Sequence, residues 1–346
     1  MTRKIEWGIG MFGDVRIDPT TGISQSMEER LLELIEQIKL ADDLGIDIFA
    51  AGEHHRADYA ISSPEIILAA LASVTQRIKL SSGVSIISST DPVKLYQDFA
   101  TVDLLSKGRV EIMAGRGSFT ESFPLFGYGL GDYDALFREK LELLLAIMHK
   151  HPLSWSGKFR APLYEQEIYP RAKNNGKMPV RIAVGGTPES VVRAAQLGLP
   201  IIFAIIGGEW ADFKPFFDLY TSTYLQAGHA PEAMQIAIHA HTFITDSQEE
   251  LLDWYFPLYA KQIDRIGKSR GWLPFSKENF LAGISPEGAL CMGTASQVKN
   301  KIQAMIDHFG LTRFIAHMDI GGPSHQQLCS SISSFAKEVI PNIHRA

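Results

Sequence analysis

Cysteine is scarce in this chain: Cys291 and Cys329 are the only two in 346 residues, and they make neither a disulfide framework nor a ligand motif. There is no basic block and no acidic tail. The 33 Lys and Arg stand against 39 Asp and Glu, a formal charge of -6 that gives no reason to expect nucleic acid or an anionic membrane as partner. No run approaches the ~18 apolar residues of a membrane span. The opening MTRKIEWGIGMFGD is broken by glycines and by Asp14, so it does not read as a signal peptide. No G-x-G-x-x-G opens a helix early in the chain, which weighs against a dinucleotide-binding doubly wound sheet. What remains is ordinary globular composition, 45% hydrophobic and 21% charged, with material for a sizeable core. The expectation is a soluble, cytoplasmic protein.

Short β-like runs alternate with amphipathic segments from end to end. Strands are expected over 5–12, 46–51, 79–87, 109–115, 180–184, 200–206, 235–244 and 313–320. Helices are expected over 27–44, 64–77, 92–107, 188–197, 211–226, from 248 onward, and after the last strand. In the first of them Met27, Leu31, Ile35 and Ile38 form one stripe, widened by Leu34, Ala41 and Leu44. Ser63-Pro64-Glu65, Asp91-Pro92, Thr187-Pro188-Glu189 and Ser285-Pro286-Glu287 read as helix starts, and Thr294 to Gln297 as a capping box. Gly45, Gly108, Gly198, Gly228 and Gly310 stand where helices should stop. Eight strand–helix units without a composition break fit an α/β fold of the (β/α)8 TIM-barrel type better than a doubly wound sheet. Insertions interrupt the repeat after strand 4 (116–131), before strand 5 (151–179) and after strand 7 (267–285). Loops that follow strands form the active face of such a barrel, so the first and third are lid candidates.

The stretch AGEHHRADYA at 51–60 puts Glu53, His54 and His55 on that face. A histidine beside a carboxylate serves as acid or base near neutral pH, although a carbonyl cap and a solvated neighbour would need the same residues. Strand 4 ends in Gly115-Arg116-Gly117-Ser118, where glycines admit a ligand to the backbone and a guanidinium clamps an anion. Strand 5 ends in Gly185-Gly186-Thr187 at a helix N-terminus, a setting that favours phosphate. Each alone is equally a turn or a cap; together they suggest a phosphorylated ligand or cofactor. Strand 3, Ser81 to Ile87, is small where it meets the interior, which suits packing or a flat ring against the backbone. A competing cluster, His239, His241, His317 and Asp319, has the period-two spacing of a metal site on strands 7 and 8 and leaves a metal-dependent hydrolase open.

Five segments in order resemble the bacterial luciferase-like flavin-dependent monooxygenases: GEHH at 52–55, SSGVSIISSTDPVKLYQDFATVDLLSKGRVEIMAGRGS at 81–118, FREKLELLLAIMHKHPLSWSGKFR at 137–160, VGGTPESVVRAAQLG at 184–198 and MGTASQVKNKIQAM at 292–305. The resemblance covers essentially the whole chain, 1–346, as one barrel domain. It implies FMN at the C-terminal ends of the strands, with reduced flavin reacting with O2 and the resulting flavin peroxide attacking an organic substrate. By position, Arg116, Gly117 and Ser118 would approach the flavin phosphate and ribityl chain. Gly185, Gly186 and Thr187 would meet the phosphate. Gly83 and Val84 occupy the place of the family's non-prolyl cis peptide under the flavin ring. His54 matches the acid–base histidine, with Glu53 as its possible orienter. Two departures stand out. Gly115 replaces the reactive cysteine of the light-emitting members, so bioluminescence is not expected, and 119–131 and 267–285 match no named substrate. The Glu-His-His triplet favours FMN over a deazaflavin. The absence of a nicotinamide fingerprint points to reduced FMN from a separate flavin reductase. The resemblance also implies a homodimer through helices near strands 2 and 3. A non-catalytic flavin-binding protein on the same barrel is the third reading.

Overall fold

The computed structural model describes residues 4–18, 21–117, 119–268 and 270–344. Eight strands carry the fold: β1 (Glu6–Met11), β2 (Ile48–Ala51), β3 (Lys79–Ser82), β4 (Val110–Gly115), β5 (Val180–Val184), β6 (Ile201–Ala204), β7 (Ile236–Ile244) and β8 (Arg313–His317). Each is parallel to its neighbours in chain order, and β8 pairs back onto β1, Gly8 opposite Ile315, which closes the barrel. The strands read as near-continuous apolar runs because both faces are covered. Outward side chains such as Ile9, Phe49, Leu80, Ile112, Phe203 and Phe314 join the large core under the helices. Inward ones stack in layers, as the period of two demands. Glu6, Glu111, Arg181 and Arg313 make a charged floor at the N-terminal end, Ala50, Met113, Ile202, Ala237 and Ile315 a small apolar middle, and glycines and histidines the mouth.

The principal helices around the barrel are α1 (Met27–Asp43), α2 (Pro64–Val74), α3 (Pro92–Leu105), α4 (Tyr133–His149), α5 (Pro188–Gln196), α6 (Lys214–Gln226), α7 (Phe256–Lys268), α8 (Lys277–Ile284), α9 (Ala295–Phe309) and α10 (His325–Ser334). The Asp91 carboxylate accepts from the amides of Val93 and Lys94 to start α3, Thr294 and Gln297 form the expected capping box of α9, and Gly310 ends α9 in the left-handed region. All five expected stop glycines take positive φ. No helix of the described residues is long and apolar enough to cross a membrane.

Four details differ from the sequence pattern. The buried face of α1 centres on Leu34, Ile38 and Ala41 and includes Arg30 and Gln37, while Met27 is exposed; the helix turns inward because Arg30 reaches Asp319 across the mouth. The third strand is interrupted at a cis Gly83–Val84 peptide and resumes at Ser85–Ile86 against β4. Ser285-Pro286 does not start a helix: Ser285 caps the end of α8, and the chain goes on to the strand Cys291–Gly293 beside β7. The 267–285 segment is half helical, since Ser276 caps α8 through the Asn279 amide. Of the other interruptions, 119–132 covers the mouth and contains the helical turn Ser122–Leu125, and 150–179 holds the antiparallel hairpin Leu153–Trp155 with Leu163–Gln166.

Candidate active site

His54 leaves β2 into an aromatic enclosure. Its ring stacks on Tyr59 (4.3 Å between centroids), lies 4.7 Å from Phe12 and meets Phe119 edge-on at 4.7 Å. It is 6% exposed, so water reaches little of it. Burial pushes its pKa below the usual histidine value, and Glu121 works in the opposite direction. Glu121 belongs to the segment after β4; its Oε1 stands 3.9 Å from His54 Nδ1, beyond hydrogen-bond range. Glu53 does not orient His54. One of its oxygens lies 3.1 Å from His55 Nε2 and the other accepts from the Ile86 amide at 2.8 Å, tying the β2 loop to the strand that follows Val84. His55 in turn meets Phe126 of the same covering segment.

The loops after β4 and β5 converge. Arg116 at the end of β4 donates from Nη2 to the Thr187 hydroxyl at 2.9 Å, pairs with Asp134, and lies over the Tyr133 ring. Tyr133 donates to the Gly117 carbonyl at 2.5 Å. Because Thr187 is engaged with Arg116, it does not cap α5, and the first-turn amides have no side-chain acceptor. A Cβ on Gly185 would touch nothing within 4 Å, so the floor between these groups is open. Gly186 (φ 104°) and Gly117 (φ 79°) take backbone conformations that L side chains rarely adopt. Ser118 lies outside the described residues.

Gly83 packs against Ala50, where its absent Cβ would come within 2.9 Å of the alanine methyl. The Val84 side chain then fills the space above Gly115: a Cβ there would lie 2.5 Å from Val84 Cγ2. A cysteine at 115 could enter only by displacing Val84, so the departure at 115 and the valine at 84 are one packing solution.

Most donors of the strand 7 and 8 cluster are engaged, while His239 Nε2 is buried without a hydrogen-bond partner. Asp319 accepts from the amides of Phe12 (3.0 Å), Gly13 (2.8 Å) and Asp14 (3.2 Å), from Arg30 (3.0 Å), and lies 3.2 Å from His317 Nε2. Burial alone would raise its pKa, but His317 and Arg30 hold it well below the usual carboxylate range. His241 Nδ1 meets the Tyr259 hydroxyl at 2.9 Å. His239 is pushed down to about 3 by burial and by His317, so it is neutral. Among the described residues the donor atoms that approach within 4.8 Å of one another belong to Asp14, His317 and Asp319, without His239 or His241. The four-residue metal set expected from spacing is not assembled; Asp319 instead fastens the β1 loop. Phe12 sits between the two regions, 4.0 Å from His317 on one side and against His54 on the other.

The sequence model of the luciferase-like monooxygenases matches residues 8–313, from β1 to the start of β8. The chain belongs to that family. Among the family's curated members, 2,5-diketocamphane 1,2-monooxygenase 2 of Pseudomonas putida is 24% identical over 345 residues, covering 88% of this chain and 92% of the relative. In fold, the luciferase-like barrel superposes on monooxygenase RslO1 from Streptomyces bottropensis with a TM-score of 0.84 at 22% identity, covering 98% of this chain and 100% of the other. It also matches the oxygenating constituent of 3,6-diketocamphane monooxygenase from Pseudomonas putida, a type II Baeyer–Villiger monooxygenase in complex with FMN. There the TM-score is 0.75 at 19% identity, with full coverage of both chains.

Within this luciferase-like site the sequence reading did not single out Phe12, Tyr59, Phe119 and Glu121. Phe12 had a signal, since it continues the inward phase of Gly8 and Gly10 along β1. Phe119 and Glu121 follow the Gly-Arg-Gly-Ser turn in a segment without periodicity, and nothing local marks Tyr59.

Proposed function

We propose that this luciferase-like monooxygenase is FMN-dependent and uses reduced flavin and O2 to oxidise a small organic substrate. The observation that carries the reading is the junction of Arg116 and Thr187 beside the open floor at Gly185 and the uncapped N-terminus of α5. A guanidinium, a hydroxyl and a helix N-terminus beside unfilled space fit a phosphate monoester. Arg116, Gly117, Gly185, Gly186 and Thr187 would hold that phosphate, and the Gly83–Val84 backbone would meet the ring. When bound, reduced flavin supplies the electrons that activate O2. Phe12, Tyr59 and Phe119 exclude water around His54, and His54 holds or moves the proton that the chemistry requires. The relatives named for ketone oxygenation support a monooxygenase of this kind. Reduced FMN comes from a separate reductase in this reading.

Anaerobic titration with reduced FMN tests the cofactor assignment: saturable binding is expected, and its absence would remove it. Arg116→Ala should weaken FMN by roughly ten-fold or more, since a charge-assisted hydrogen bond contributes about 1.5–3 kcal/mol. Unchanged affinity would count against the phosphate clamp. A homodimer through α2 and α3 belongs to the same proposal, supported by Ile66, Val74, Leu104 and Leu105, which stand exposed on or beside them. Sedimentation at micromolar concentration should show a dimer; a monomer would remove that part.

A further inference from the structure

Two buried polar atoms face each other in the mouth without a partner. His54 Nδ1 and Glu121 Oε1 are both shut from solvent, neither makes a hydrogen bond, and they are 3.9 Å apart. An imidazole N–H and a carboxylate oxygen are complementary, and an approach of about 1 Å would bring them to hydrogen-bond distance. They sit on different elements. His54 is fixed on the β2 loop by its backbone bond to Ile61 and by the rings of Phe12 and Tyr59. Glu121 arrives with the segment after β4, whose Phe119 and Phe126 press on His54 and His55 respectively. Phe119 is itself held between the guanidinium groups of Arg56 and Arg270, at 5.3 and 5.0 Å from its ring.

We propose that Glu121 is the positioning residue of His54: it accepts a hydrogen bond from Nδ1–H, which fixes the tautomer and leaves Nε2 as the proton-handling atom while the covering segment is down. This rests on the reading of His54 as the proton handler of the luciferase-like reaction. A carboxylate on one ring nitrogen sets the role of the other and makes the imidazole more basic. The other charged neighbours do not replace it. Glu53 raises His54 basicity from the same loop but spends both oxygens on His55 and Ile86; Arg56 is tied to Asp58; His317, approaching from β8, opposes a positive charge on His54. Burial lowers the His54 pKa, and the Glu121 carboxylate does most to lift it back. The arrangement thus couples closure to chemistry: the covering segment brings both the burial that lowers the His54 pKa and the carboxylate that offsets it and fixes the tautomer.

The test is the pH titration of the His54 ring by NMR in the flavin-free protein, with its resonance identified by its loss in His54→Gln. In Glu121→Gln the midpoint should fall by about one pH unit, the lower end of the effect of an opposite charge at this range. Glu121→Asp should restore part of that fall. The same shift should move the His54-dependent limb of the turnover pH profile, with KM for substrate changing less than kcat. A midpoint in Glu121→Gln identical to the unsubstituted protein overturns the proposal, as does a midpoint that falls as far in Glu121→Asp as in Glu121→Gln. If reduced FMN fails to bind the unsubstituted protein, the monooxygenase reading falls, while the flavin-free titration still decides the pairing of Glu121 with His54.

Discussion

Replacing His54 by alanine is expected to lower turnover by about 10²- to 10⁴-fold, the usual contribution of a positioned general acid or base, while reduced FMN still binds. The expectation follows from where the ring is. It is enclosed by three aromatic side chains, lies opposite a carboxylate on the covering segment, and makes no contact with the Arg116–Thr187 pair proposed to hold the phosphate. Loss of packing is a second effect of the alanine substitution, and His54→Phe separates the two. It retains the stack on Tyr59 and Phe12 and removes the titratable nitrogen. Both variants should lose turnover together, with FMN affinity nearly unchanged in each. Full activity in His54→Phe would show that the residue packs and does not handle protons.

The second large effect is expected at the opposite end of the barrel. Glu111 on β4 accepts from both terminal nitrogens of Arg313 on β8 and lies near Arg181 on β5, so one buried carboxylate serves two buried guanidinium groups. Glu111→Ala should destabilise the fold by about 3 kcal/mol, because it removes the carboxylate paired with buried Arg181 and leaves Arg313 with Glu6 alone. The same group predicts a pH dependence. Burial by itself would raise the Glu111 pKa, but Arg313 and Arg181 outweigh it and the value falls to about 2 from 4.5. A carboxylate depressed in the folded state contributes stability that is fully present above its unfolded pKa. That contribution fades as pH falls from about 4.5 towards 2, and amounts to about 3 kcal/mol in all. Urea unfolding from pH 7 down to pH 3 should therefore show a steeper decline for the unsubstituted protein than for Glu111→Gln. Parallel declines would place the acid sensitivity elsewhere.

The architecture was legible because the strands are apolar and regularly spaced and the helix ends carry strong local signals at Asp91, Thr294 and Gly310. The Arg116 and Thr187 loops were legible only as glycine-rich strand ends, each equally a turn or a cap; that the two side chains meet depends on the fold. What stayed hidden depends on distance in the chain. The inward turn of α1 is set by Asp319, nearly three hundred residues away, so the Arg30 position could not be read from helix periodicity. The carboxylate that faces His54 stayed hidden for the same reason. Glu53 is adjacent in sequence, but its oxygens point to His55 and Ile86, and the carboxylate that faces His54 comes from the far side of β4. The proposed metal cluster followed a spacing that was real, since its members do gather near β7 and β8. Spacing could not show that Asp319 had already been taken by three consecutive amides and an arginine.

That carboxylate has a consequence for how the molecule comes into being. Phe12 and Asp319 are separated by 307 positions, and the β1–β8 seam they seal is the pairing that turns a sheet into a closed ring. Until the C-terminal part of the chain has been made, β1 keeps one bare edge and the loop that carries Phe12 lacks its three amide bonds to Asp319. Contacts of such long sequence separation form late and slowly. The wall beside His54 is therefore among the last parts of the molecule to take shape, and a nascent chain cut short before Asp319 would bear its histidine pair and anion loops without a finished chamber to use them in.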